Sequence, residues 1–535
     1  MSINRKTISV FALLMSASML FTGCGAHPSG APSSTSYTGS SGGRNDTYYE
    51  YQADNAAEDY KPDYIYDQDI TVSDNEEYSV INESGFKSVK ADPLSTFSVD
   101  VDTASYANVR RIIQSGNKVN PDAVRIEEML NYFHYDYPQP KSGEPFSVNT
   151  QITDCPWNAD TKLMRVGLHA KDIDFTEREP MNLVFLIDVS GSMYDADKLP
   201  LVQKSFSVLA DELDERDRIS IVTYAGTDSV VLDGVSGESR DKILSAIDSL
   251  EAGGSTAGAA GISTAYEIAE KHFIEGGNNR IILATDGDLN VGISSESELK
   301  RLVEKKCKSG VYLSVLGFGT GNIKDNKMET LADNGNGNYS YIDSIKEAKK
   351  VLVDEMGGTL VTVAKDVKIQ VEFNPAYIKG YRLIGYENRA LSSEDFADDS
   401  KDAGEVGAGH SVTALYEVAF ADSEMKFDSS DLKYSSADEG KDNGEYLTVS
   451  VRYKEPDEDE SRLLTYPVTF GAYSEKMDDD MRFAAAVAEF GMILRDSENK
   501  GTATRESVLE MLDETDLKDD QYKTEFKKLV KESGI

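Results

Sequence analysis

Between residues 183 and 360 the chain alternates short, almost wholly apolar runs with amphipathic stretches, and few folds accept that rhythm. The apolar runs lie at 183–187, 219–224, 281–285 and 311–318. Helical periodicity fills the spaces between and after them, at 199–213, 240–250, 258–273, 299–308 and 345–359. A strand with one wet face would alternate apolar and polar residues. Near-continuous apolar strands need cover on both faces, which helices of a doubly wound sheet supply. The segment 181–363 is therefore predicted to be α/β, with a mainly parallel, Rossmann-like sheet. Ligands of such sheets bind beyond the carboxyl ends of the strands.

A chain of 535 residues is too long for one ordinary core, and the rhythm changes on both sides of this segment. Upstream, 93–180 reads as a small N-terminal module, with strands at 96–102, 148–152 and 163–168 and helices at 104–114 and 124–133. Downstream, 364–475 reads as an antiparallel β-rich module, with period-two alternation at 367–373, 381–386, 411–420, 446–453 and 463–470. Three helices follow in 476–535, at about 481–495, 505–513 and 521–531, and the alanine-rich first one is expected to pack on the β-rich module.

The N-terminal end reads as an address. Arg5 and Lys6 precede an apolar run over 8–21 that is too short to span a bilayer, and Thr22-Gly23 leads into Cys24. That ending resembles a bacterial lipobox, which implies removal of 1–23 and acylation of Cys24. Several acyl chains hold firmly, because burial is worth roughly 0.8 kcal/mol per methylene. The expected location is extracytoplasmic and membrane-anchored, at a cell surface or outer membrane. Residues 24–92 are rich in Ser, Gly, Asn, Asp and Tyr without apolar period, and are predicted to be a disordered tether with a mean reach of roughly 40–50 Å.

A formal charge of −39 argues against nucleic acid as a partner, since phosphates would be repelled. Of three cysteines, Cys155 and Cys307 remain after acylation, and the sequence leaves their pairing open.

Candidate chemistry gathers in the central segment. Asp188-Val-Ser190-Gly-Ser192 follows the first apolar strand directly. Thr256 stands in a Gly-Gly-Ser-Thr loop before a helix, and Asp286-Gly287 follows the 281–285 strand. Parallel strands put all three loops on one sheet edge, so Asp188, Ser190, Ser192, Thr256 and Asp286 can converge. Two carboxylates and three hydroxyls make an all-oxygen set suited to a hard cation, Mg²⁺ first, with Mn²⁺ and Ca²⁺ as alternatives. Asp197 and Asp288 are nearby loop acids that read as solvated charge or as tuning groups. Rival motifs fail. Asp286-x-Asp288-x-Asn290-x-Gly292 lacks the calcium-loop glycine and final glutamate, and the Gly317–Gly321 spacing does not suit a dinucleotide. None of the five histidines has metal-ligand spacing. No catalytic residue is assigned, and the chain is not expected to be an enzyme.

The five oxygen-bearing residues resemble the metal-ion-dependent adhesion site of von Willebrand factor type A domains. Flanking text at 100–106 (DVDTASY), 125–128 (RIEE), 252–258 (AGGSTAG) and 280–292 (RIILATDGDLNVG) is similar to a bacterial lipoprotein family of that type. That family has its own N-terminal segment and an uncharacterised C-terminal domain. The resemblance runs over about 93–530. It implies that Ser190, Ser192 and Thr256 coordinate the ion, that Asp188 and Asp286 act directly or through water, and that a partner protein's Asp or Glu carboxylate takes the last position. The expected function is a lipid-anchored binding protein that touches the membrane through its anchor alone. Its alternative is an envelope assembly or chaperone-like scaffold acting through the C-terminal module. A metal-dependent hydrolase would need a general base beside the ion, and no His or Lys is placed by sequence to serve.

Overall fold

Val184 and Leu186 face one core, while Leu183, Phe185 and Ile187 face another, so a single strand serves two hydrophobic interiors. This is the arrangement that the unbroken apolar run requires. The computed structural model describes residues 75–173, 178–254, 258–287, 296–427, 440–456 and 458–534. Residues 1–74, with Cys24 and most of the expected tether, lie outside the described residues, as does Thr256.

The central sheet has six strands in the order Tyr339–Ile342, Tyr312–Phe318, Asn278–Thr285, Met181–Asp188, Arg218–Ala225 and Thr227–Ser236. All neighbours are parallel except the last two, which form a hairpin. Helices cover both faces. Phe206 and Leu209 of the Leu199–Ala210 helix pack with Ile243 and Ile247 on one side, and Ile262, Tyr266, Val303 and Met328 pack on the other. Each such side chain contributes roughly 1.5–3 kcal/mol of burial. The chain enters at Met181–Asp188, runs to one side, then returns to Asn278–Thr285 on the other. That reversal is a topological switch point, where the diverging loops leave a crevice.

The sequence reading set 93–180 and 364–475 apart as two modules, but their strands share sheets. One sheet runs Lys87–Ser88, Ile378–Ile384, Ser411–Phe420, Lys162–Ala170, Phe146–Asp154. The other runs Ala390–Leu391, Leu94–Ser98, Thr362–Phe373, Glu445–Lys454, Arg462–Thr469, with Gly404–Gly407 also pairing to Thr362–Phe373. Phe97, Val166, Ile369, Val371, Tyr416 and Val449 fill the space between them. The α/β segment is thus inserted within a β-sandwich that the flanks build together. Alternation reports which face of a strand is buried and is silent on its neighbour, which is why the pairing was not legible.

The helices follow the same logic. Asp479–Arg495 is buried nearly all round because Ala104–Gln114, Ile126–Asn131, Arg505–Glu514 and Gln521–Glu532 pack around one aromatic core with Phe133, Phe483 and Phe526. Caps set three of the starts. Asp478 accepts from the Met481 amide, Thr504 and Ser507 form a reciprocal box, and Asp520 accepts from the Tyr522 and Lys523 amides.

Residues 75–92, expected to be part of a disordered tether, instead lie against the body. Glu76 pairs with Arg111 at 2.9 Å, Glu77 with Lys324 at 2.7 Å, and Lys87–Ser88 adds to a sheet edge. These contacts are polar and local, and leave no apolar period in the sequence. Cys155 and Cys307 are both free thiols. Among the described residues no helix is long and apolar enough to cross a membrane.

Candidate metal centre

Asp188 ends the first central strand and is 0% exposed. Its Oδ1 accepts from the Ser190 amide at 2.9 Å, and its Oδ2 accepts from Thr285 Oγ1 at 3.4 Å. The chain then turns in a short 3-10 segment over Gly191–Tyr194, which brings the Ser190 and Ser192 hydroxyls 3.0 Å apart. The aspartate–serine–serine spacing therefore does what the sequence suggests, placing three oxygen-bearing side chains at one strand end.

The loop carrying Thr256 approaches the same place. The Gly253 amide donates to the Val189 carbonyl at 2.8 Å, and the Gly191 amide donates to the Gly254 carbonyl at 3.2 Å. Gly254 has φ +85, a conformation only glycine adopts without strain, and this lets the loop turn beside the Ser190 segment. The described chain stops at Gly254 and resumes at Gly258, so Thr256 itself has no described position.

Asp286 follows Asn278–Thr285, the strand hydrogen-bonded in parallel to Met181–Asp188 with Ile187 opposite Ala284. It is 1% exposed, and its Oδ2 accepts from Lys198 Nζ at 2.9 Å. The Gly287 amide donates to Thr285 Oγ1 at 3.1 Å, so Thr285 links the two acidic loops by giving to one and taking from the other.

Electrostatics fit a cation. Burial pushes the Asp188 carboxyl up to about 6, opposed by its bonds to Ser190 and helped by the Asp286 charge. A divalent ion beside it would reverse that push. Tyr224 is buried next to it, and burial followed by the Asp188 charge drives its hydroxyl well above the usual range. Among the described residues no group of three or more His, Cys, Asp or Glu is placed to hold a metal. The donor set here differs in kind: two carboxylates with hydroxyls, an all-oxygen set that suits a hard divalent cation.

Of the residues named by sequence, Asp188, Ser190 and Ser192 are in direct contact around one turn, and Asp286 stands at the end of the adjacent strand. Asp197 is set apart, accepting from Thr320 Oγ1 at 3.4 Å, and Asp288 lies outside the described residues. Sequence reasoning missed Thr285 and Lys198. The threonine was readable as the last residue of its strand, just before Asp286. The lysine belongs to no motif, and its role appears only when two distant loops meet.

A family model described as von Willebrand factor type A domain matches residues 182–353. One described as von Willebrand factor matches 72–165, and one described as uncharacterized protein YfbK, C-terminal, matches 358–535. The chain is 44% identical over 468 residues to the uncharacterized protein YfbK of Escherichia coli (strain K12), spanning 85% of this chain and 80% of that protein. It is 31% identical over 201 residues to the uncharacterized protein sll0103 of Synechocystis, covering 38% of this chain and 47% of that one. Among solved structures, von Willebrand factor type A from Catenulispora acidiphila aligns over 72% of this chain and 88% of its own, at 16% identity and a TM-score of 0.42.

Proposed function

Since the chain belongs to the YfbK family of bacterial proteins with a von Willebrand factor type A domain, we propose that it is a binding protein that holds a divalent cation and captures a partner's carboxylate through it. The observation that carries this reading is the oxygen cluster of Asp188, Ser190 and Ser192, with Asp286 on the neighbouring strand. Ser190 and Ser192 would hold the ion through their hydroxyls, Thr256 would complete the set, and Asp188 and Asp286 would act directly or through water. Mg²⁺ suits this set best. Two protein carboxylates leave room for one more anionic oxygen, and Mg²⁺ exchanges a water for it. The role is binding rather than catalysis, because a hydrolytic site needs a general base free to take a proton. Lys198, whose ammonium reaches this cluster, is engaged with Asp286.

Calorimetric titration of the full-length protein with Mg²⁺ tests this reading. Saturable binding in the wild type that is lost in Asp188→Ala supports it, and equal heats from both proteins overturn it. A pull-down from envelope extract in Mg²⁺ against EDTA then asks whether capture follows the ion.

We also read Cys24 as the lipid-bearing residue and the protein as membrane-anchored outside the cytoplasm. The support is the basic start, the apolar run and the small residues before the cysteine. Labelling with a palmitate analogue, absent from Cys24→Ala, is the expected outcome.

A further inference from the structure

We propose that Lys198 is a resident counter-ion of the metal centre, which neutralises Asp286 and thereby sets how tightly the ion is held. This rests on the metal reading above and goes beyond it, since the adhesion-site residues do not include a lysine.

Lys198 is 6% exposed, and its ammonium donates to Asp286 Oδ2 at 2.9 Å. Its place is imposed from both ends of the side chain. The Lys198 carbonyl accepts from the Leu201 and Val202 amides at 2.9 Å each, fixing the backbone at the start of the Leu199–Ala210 helix. The methylene stem then runs across Gly319, where a Cβ would come within 2.4 Å of Lys198 Cε and 2.5 Å of its Cγ. Gly319 also has φ +78, and its carbonyl accepts from the Tyr341 hydroxyl at 2.6 Å, which pins that loop over the lysine. The bare glycine lets the stem lie close against this loop, and the stem's far end places the ammonium on Asp286.

The charge at the site follows. Asp188 and Asp286 supply two negative charges, and Lys198 returns one positive charge. A divalent ion in this cage therefore keeps a net positive charge that two unpaired carboxylates would have cancelled. The ion is held more weakly by the protein alone and is left with a stronger pull on an incoming carboxylate. A lysine serving only to stabilise the fold makes a different prediction. Its removal would lower stability and leave metal affinity unchanged or reduced.

The test is Mg²⁺ titration of the full-length wild type, Lys198→Met, Lys198→Arg and Asp188→Ala. Lys198→Met should bind Mg²⁺ on the order of tenfold tighter, as loss of a neighbouring unit charge predicts. Lys198→Arg, which keeps the charge, should stay near the wild type. In EDTA the melting temperature of Lys198→Met should fall, because a buried carboxylate loses the ammonium that donates to it, and Mg²⁺ should restore more of it than in the wild type. Lys198→Gln gives the same comparison if the methionine variant does not fold. Unchanged or weaker affinity in the uncharged variants, with Asp188→Ala still abolishing binding, overturns the counter-ion role and leaves the metal reading standing. No binding in the wild type or in the uncharged variants overturns both.

Discussion

Arg165 and Asp478 lie 313 residues apart in the chain, yet the arginine donates to both carboxylate oxygens, at 2.7 and 3.0 Å. The arginine belongs to Lys162–Ala170, before the α/β insert, and the aspartate caps Asp479–Arg495, after it. The same carboxylate accepts from the Met481 amide at 2.6 Å. One side chain thus ends a helix and ties the two flanks together.

Asp478→Ala should cost about 2–3 kcal/mol, combining loss of a cap with a buried guanidinium that loses its carboxylate and keeps Asn149 Oδ1 and the Tyr137 ring. Asp478 is itself half exposed, so water softens the second part. Asp478→Asn keeps the cap and loses the charge, and should cost less. Urea denaturation of both variants measures the difference.

A chain ended at residue 361 should fail to fold cooperatively, because Lys162–Ala170 would lose Ser411–Phe420 and Leu94–Ser98 would lose Thr362–Phe373. The Phe146–Asp154 and Lys162–Ala170 pair would gain one open edge and Leu94–Ser98 would have no partner strand at all, which invites aggregation. Circular dichroism on heating, with light scattering, distinguishes this from a stable fragment. Removing the C-terminal region is therefore no clean way to test what that region binds.

Thr285→Val should weaken Mg²⁺ binding several-fold without touching an expected ligand. The threonine hydroxyl donates to Asp188 and accepts from the Gly287 amide, so valine leaves one carboxylate loose and one buried amide unpaired. A stability loss of about 1–2 kcal/mol should accompany it. Titration calorimetry and thermal melts read the two effects separately, and Thr285→Ser should recover most of both.

His410 gives the protein an acid weakness. Burial, followed by the positive charge of Lys350, lowers its imidazole to about 3. The unfolded chain takes up a proton near pH 6.5 while the folded one does not, so stability is present above that pH and is lost as pH falls toward 3. Between pH 7 and pH 5 this group should remove about 2 kcal/mol. His410→Asn should flatten that part of the urea-melt profile against pH, and an unchanged slope would remove His410 as its source.

The central sheet and the candidate centre were legible because both are written in short stretches. An apolar run of five residues declares a doubly covered strand, and an aspartate just past it must emerge at the sheet edge. Parallelism then gathers Asp188 and Asp286 without any knowledge of the helices between them. The shared β-sandwich was not legible, since Thr362–Phe373 reads alike whether its neighbour is Leu94–Ser98 or another strand. Residues 75–92 escaped for a related reason: Glu76 and Glu77 are held by Arg111 and Lys324, and ion pairs between distant segments have no period.

The amino-acid order alone determined the α/β core and the sheet edge where Asp188, Ser190, Ser192 and Asp286 gather, because each depends on neighbours within a turn or a strand. Only the tertiary structure decided that the flanks are one sandwich and that Lys198 reaches Asp286. Those depend on which hydrogen-bond ladders and charges find each other across hundreds of residues, a choice made by global packing and not by local pattern.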